Sequence, residues 1–276
     1  MKRRRRRFAW LTIPSGISLT VIVGWFIVAI TVPWWAPYSP VNSVSTALSE
    51  PNWQHLLGTD ELGRDVLTRT LYGARQSLPL ALIVIVVSVS LGCLVGAASG
   101  FLGRWVDAVL MRLADVTFAF PAILLAMIVT ASLGPGLNHI AIAIIAVWWP
   151  GYARLLRGQI LTVKEQLHVE AARAAGAGPL RLLRVHILPL SMAPVLVNAT
   201  MDMGQIVLFA AGLSFIGLGA VPPTPEWGLS INEGAAYFYQ WWIALGPGVA
   251  ILSVALSFNF LGDALRDAFD VRQRAR

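Results

Sequence analysis

Few side chains in this sequence could do chemistry on a substrate. Asp202 is the only acid well inside an apolar stretch. It reads either as a gating or relay carboxylate, or as a side chain that snorkels to the inner headgroups or pairs with a neighbour. Of the two lysines, Lys2 and Lys164, neither stands in the G-x-x-x-x-G-K-[ST] loop that cradles nucleotide phosphates. His55, His139, His168 and His186 are scattered, and no H-E-x-x-H occurs to hold zinc. Cys93 stands alone, which excludes an intramolecular disulfide framework and a Cys-rich metal site. The stretch Gly212-Leu213-Ser214-Phe215-Ile216-Gly217 lacks the spacing of a nucleophile elbow. No catalytic, cofactor-binding or metal residue is therefore assigned. If this chain moves a solute, another component supplies the work.

The elements that carry these residues are set by composition. Hydrophobic residues make up 57% of the 276 positions and charged residues 13%, about half the usual charged share. A soluble fold could not hide that much apolar surface, so lipid must cover part of it. A helix needs about 20 apolar residues to cross the hydrocarbon. On that measure the sequence predicts an all-α membrane protein with six spans, at roughly 13–36, 78–101, 116–133, 139–152, 192–218 and 241–261. The third and fourth form a hairpin, because 38 uncharged positions separate Asp115 from Arg154 and Gly134-Pro135-Gly136 breaks the run. The corresponding layout is a basic tail 1–12, an outer loop 37–77, a core 78–262 containing a cytoplasmic segment 153–191, and a cytoplasmic tail 263–276.

Orientation follows from the cations. With both termini cytoplasmic, 18 of the 21 Lys and Arg fall inside, and only Arg64, Arg69 and Arg75 fall outside. The first apolar stretch is too long for a signal-peptide core and has no clear small-x-small cleavage site after it, so it reads as an uncleaved helix. The run Arg3 to Arg7 reads as a topology anchor drawn to anionic lipid, not as a nucleic-acid contact. Trp34-Trp35, Trp148-Trp149 and Trp241-Trp242 mark expected headgroup levels.

The segment 153–191 is the most informative. Ala, Glu, Gln, Lys and Arg dominate Val163 to Ala175, which predicts a helix. Gly176 suits the left-handed position that ends it, Pro179 suits the first turn of the next helix, and Pro189 is expected to stop that one. Leu180, Leu183 and Ile187 share a face, with Arg181 and Arg184 off it. The result is a compact knob that either docks a partner or packs under its own bundle. Glu170 could equally be a solvated charge pairing with Arg173.

The order Glu170-Ala171-Ala172, Gly176 six residues after the Glu, and Leu188-Pro189 resembles the EAA loop of bacterial ABC importer permeases. Leu57-Gly58-Thr59-Asp60-Glu61-Leu62-Gly63-Arg64-Asp65, with Tyr72-Gly73-Ala74-Arg75 after it, is similar to the signature of the dipeptide/oligopeptide/nickel permease group. Pro225-Glu226-Trp227-Gly228 and Asn259-Phe260-Leu261-Gly262-Asp263 resemble the far end of its C-type subunits. Two departures stand out: Val271 replaces the usual proline, and Ala210 stands where many members carry an acid.

The resemblance implies the type I ABC importer permease fold, in a bacterial plasma (inner) membrane. It also implies a half-transporter. A paralogous permease completes the pathway, one or two P-loop ATPases hold ATP and Mg, and an external binding protein delivers dipeptides, oligopeptides, glutathione-like peptides or a nickel chelate. Glu170, Ala171, Ala172, Gly176, Leu180, Leu183, Ile187, Leu188 and Pro189 would then form the ATPase-docking loop. The rival class is a stand-alone carrier or channel. Gly92, Gly96 and Gly100 repeat at i+4, and Gly212 and Gly217 sit near the outer end of the fifth span. Both sets suit close helix packing or a hinge. Thr59 or Asp60 is expected to cap an outer helix beginning at Glu61, and the first outer loop is a candidate contact for the binding protein.

Overall fold

The computed structural model describes residues 13–274. The basic segment 1–12, including the arginine run, lies outside them. The described chain is helical: α1 (Ile13–Trp35), α2 (Val66–Leu102), α3 (Arg104–Phe118), α4 (Ala122–Leu133), α5 (Leu137–Val163), α6 (Leu167–Ala174), α7 (Pro179–Arg181), α8 (Leu188–Phe215), α9 (Trp227–Ala235) and α10 (Trp242–Arg274). Five of these helices are long and apolar enough to cross a membrane, and α3 with α4 makes a bent sixth. The chain is thus an all-α, multi-pass membrane protein with five spanning helices, or the six read from its sequence when the bent pair is counted as one span.

The third span departs from the expected straight helix over 116–133. Helices α3 and α4 meet at 87°. Pro121 causes the break, since it has no N–H for the ladder and disfavours helical backbone at Phe120. The 12 residues of α4 extend only about 18 Å, short of the hydrocarbon thickness of about 30 Å. Helix α3 exposes Trp105, Val109, Leu113 and Val116, a spacing that puts all four on one face. It has the amphipathic form of a helix lying in the headgroup plane. Two arginines of α5 hold it there: Arg157 Nε and Nη2 donate to Asp107 at 2.5 and 2.6 Å, and Arg154 reaches Asp115 at 2.5 Å.

Other helices outrun the expected spans. Helix α2 starts at Val66 and not near residue 78, so its 37 residues reach about 55 Å and its first turns stand outside the bilayer. Asp65 caps it by accepting from the Thr68 N–H at 2.7 Å, replacing the expected cap at Thr59 or Asp60. Helix α5 continues to Val163, past the expected span end, which leaves Trp148 and Trp149 midway along it. Helix α10 runs through the expected tail to Arg274.

Bundle packing is built on small residues. A Cβ on Gly92 would come within 2.4 Å of Tyr152 Cβ, one on Gly96 within 2.4 Å of Ala153 O, and one on Gly100 within 3.1 Å of Ile160. These three glycines let α2 lie backbone to backbone along α5. Gly204, which the sequence reading does not single out, does the same for α8 against Ala255 of α10. Gly212 and Gly217 do not act this way, since nothing lies within 4 Å of a Cβ at either position. Gly217 has φ +84° and ends α8, with Leu218 N–H bonded to Leu213 O and Gly217 N–H to Ser214 O.

Candidate coupling loop, outer ion cluster and pathway face

Residues 164–187, between α5 and α8, form two short helical pieces. A turn at Lys164–Gln166 separates α6 from α5, so the helix expected from Val163 begins at Leu167. Gly176 has φ +86°, Ala177 N–H bonds to Ala172 O, and Gly176 N–H bonds to Arg173 O. That pair of bonds is the left-handed helix stop the sequence predicts. Pro179 opens α7.

Pro189 does not stop the next helix. Residues Leu182–Ile187 form a wide π turn, in which Leu188 N–H reaches back to Leu183 O, and α8 continues from Leu188. The extra residue in that turn leaves room for a proline ring that would clash in a regular α ladder. The expected apolar ridge also divides. Leu180 is 58% exposed, whereas Leu183 is half-buried and Ile187 is 1% exposed and belongs to the core. Val169 and Leu182 are buried beside it and tie the knob to the bundle. What the knob exposes is Leu167, Glu170, Ala171, Arg173, Gly176, Leu180, Arg181, Arg184 and Val185, with Ala172 and Leu188 half-buried and Pro189 exposed. Among the described residues Glu170 has no ion-pair partner, so the pairing with Arg173 does not form.

The outer end holds a charged cluster that the sequence reading missed. Arg64 is 1% exposed and spans Asp60 Oδ2 at 2.6 Å, Glu61 Oε1 at 3.1 Å and Glu233 Oε2 at 3.2 Å. Arg69 reaches Glu233 at 2.8 Å and donates to the carbonyls of Pro40 and Pro223. Asp60, Glu61 and Glu233 bring ligand oxygens within 4.8 Å of one another, but the two guanidinium groups already supply the positive charge there. His55 and Asp65 pair alongside at 2.9 Å, and the Trp242 indole donates to Thr59 O at 3.2 Å.

Burial, with repulsion from Asp60 and Glu233, pushes the Glu61 carboxyl above the usual carboxylate range, against its own backbone hydrogen bond and Arg64. Folding therefore favours the protonated form. That contribution is present below the ordinary carboxylate pKa and is lost as pH rises through the raised one. Thermal scans of Glu61→Gln against wild type are expected to show a flatter pH dependence in that window, and an unchanged slope would contradict this.

A second tie fixes α9. The Trp227 indole is fully buried, donates to Thr70 O at 2.8 Å and meets the Trp25 ring edge-on at 5.2 Å. Glu226 caps α9 through the N–H groups of Gly228 and Leu229 at 3.0 and 2.9 Å and also accepts from the Ser77 hydroxyl. The signature stretches at 57–65 and 225–228 thus build one outer cap.

Asp202 sits midway along α8, about 21 Å from Leu188, and level with the inner part of α5, where Arg154 pairs with α3 two residues beyond Tyr152. The Tyr152 hydroxyl of α5 donates to its Oδ2, so the carboxylate is paired with a neighbour.

Comparison with known proteins gives this architecture a family. Residues 88–275 match the family described as binding-protein-dependent transport system inner membrane component. A di/tripeptide transport system permease protein of Pseudomonas aeruginosa is 44% identical over 250 residues, covering 88% of this chain and 82% of that protein. A probable D,D-dipeptide transport system permease protein of Escherichia coli is 39% identical over 269 residues, covering 96% and 90%. A glutathione transport system permease protein of Escherichia coli is 41% identical over 272 residues, covering 98% and 88%. Among solved structures, an inward-facing MetNI methionine ABC transporter chain aligns with a TM-score of 0.59 at 20% identity, over 72% of this chain and 96% of that one, a likeness of fold. By motif, fold and family match alike, this chain belongs to the inner membrane permease components of binding-protein-dependent ABC transport systems.

Proposed function

We propose that this chain forms one half of the membrane pathway of an ATP-driven importer for dipeptides and oligopeptides in a bacterial inner membrane. A paralogous permease supplies the other half, an external binding protein delivers the peptide, and one or two P-loop ATPase subunits carry ATP and Mg. The observation that carries the reading is near full-length similarity to permeases named for di- and tripeptides, in a chain with no nucleotide loop of its own. A glutathione-type tripeptide is the second reading, favoured by the 41% identical relative. This chain catalyses nothing here. It transmits ATPase closure through its cytoplasmic knob and so alternates access to a path between the two permeases.

The test is reconstitution of the complete complex in proteoliposomes. Dialanine uptake should require both the binding protein and ATP. Uptake by this chain alone, driven by an ion gradient, would overturn the reading.

Within this reading the knob is the docking surface, and Gly176 sets its shape. Nothing surrounds a Cβ at this position, so a substitution is penalised by backbone conformation alone. Gly176→Val should misplace α7 relative to α6 and reduce the ATPase recovered with tagged permease by about tenfold, since a left-handed β-branched residue costs at least about 1–2 kcal/mol. Gly176→Asn should retain most of it, because Asn tolerates that conformation. Equal recovery with Val would remove Gly176 from the coupling path.

A further inference from the structure

Asn198, Asp202 and Gln205 follow at i, i+4 and i+7 and share one face of α8. The residues around them, Val195, Val197, Ile206 and Val207, are apolar and buried. A polar stripe halfway along a spanning helix is costly against lipid and persists where it faces water, a ligand or another polar group. Here it opens into a cavity of about 320 Å³, also lined by Phe118, Trp148 and Tyr152.

Three features define what the cavity could hold. The carboxylate is held by the Tyr152 hydroxyl, and no Lys, Arg or His among the described residues forms an ion pair with it. The Trp148 side chain lines the same cavity with its indole N–H directed at the carboxylate, and its ring is braced edge-on by Phe209 at 5.1 Å. The side-chain amides of Asn198 and Gln205 make no hydrogen bond among the described residues and are exposed. A carboxylate held only by neutral donors, with no cationic partner, favours a cation through a charge-assisted hydrogen bond. Free amides beside it suit a peptide bond, and the same carboxylate repels the far end of a zwitterionic peptide.

We propose that Asp202, Trp148, Asn198 and Gln205 form a transient binding station, in the translocation path, for the α-ammonium end of the transported peptide. The proposal rests on the peptide reading above and adds to it a site and an orientation: amino end at Asp202, carboxylate end away from it.

The test uses the complete complex and a photoreactive dipeptide, photo-leucyl-alanine, with label mapped by mass spectrometry. Label is expected on the α5 and α8 segments holding Trp148 and Asp202. Alanyl-alaninamide, which keeps the ammonium, should compete with it, and N-acetyl-alanyl-alanine should not. That pattern needs no variant. Asp202→Asn should lower labelling about tenfold or more, the expected scale for a lost hydrogen bond to a charged group, and Asp202→Glu should keep most of it. Co-elution with the partner chains shows that each variant assembles. Equal competition by the acetylated peptide, or full labelling of an assembled Asn variant, would overturn the station. So would dialanine transport with no label at this face, and in each of these cases the peptide reading stands. A wild-type complex that does not transport dialanine overturns the peptide reading and the station with it.

Discussion

Gly96→Val is expected to leave no folded protein in the membrane extract. The new Cβ would lie 2.4 Å from Ala153 O and 3.1 Å from Ala153 Cα, so the obstacle is the backbone of α5 and not a side chain that can turn away. The two helices would have to separate along a contact that also holds Gly92 against Tyr152 and Gly100 against Ile160. Overpacking in a tight core costs about 1–3 kcal/mol when neighbours can shift, and here they can do so only by moving a whole helix. The check is the monodisperse fraction in size-exclusion chromatography after mild extraction, with Gly158→Ala as control. Gly158 lies in α5 with nothing within 4 Å of a Cβ, so that change should be neutral or slightly stabilising. A wild-type profile for Gly96→Val would mean that α2 and α5 do not pack as described.

The second large effect is at the outer cap. Arg64→Ala would leave Asp60, Glu61 and Glu233 facing Arg69 alone. Removing one partner of a buried ion pair costs about 3–5 kcal/mol, because the remaining charge loses both water and its counterion. The thermal midpoint of the purified chain should fall on the order of 10 °C. Arg64→Met with Glu233→Gln should recover part of that loss, since uncompensated charge is the main penalty. Arg75→Ala, at an exposed position of the same outer region, should shift little. A midpoint unchanged by Arg64→Ala would show that the cluster is not what holds the cap on α2 and α9.

Much of this was legible in residue order. Apolar length locates the spans, the i+4 glycines mark a close-packing face on α2 without naming its partner, and Gly176 with Pro179 predicts the turn of the knob, because each depends on neighbours within a few positions. The bend between α3 and α4 was harder to read. Hydropathy measures apolar length without direction, so Pro121 passed unnoticed inside a run of uncharged residues. Helices α5 and α10 run on to Val163 and Arg274, beyond the span ends that charged residues mark, because a helix can continue through charges into water. Pro189 failed as a stop because a wide turn just before it absorbs its ring. The outer cluster joins Arg69 to Glu233 across 164 positions, a pairing that only the fold creates. The stripe at Asn198, Asp202 and Gln205 was present as a spacing, but the cavity in front of it needs Trp148 and Tyr152 from another helix.

The central claim is that this chain is a half-transporter driven through residues 164–187. It is tested most directly by purifying the tagged protein from its own membranes in mild detergent and identifying the co-purifying chains by mass. The account predicts a second six-span permease and one or two P-loop ATPases, with the ATPases lost from Gly176→Val and the permease partner retained. A lone chain or homo-oligomer that still transports in vesicles without ATP would contradict it.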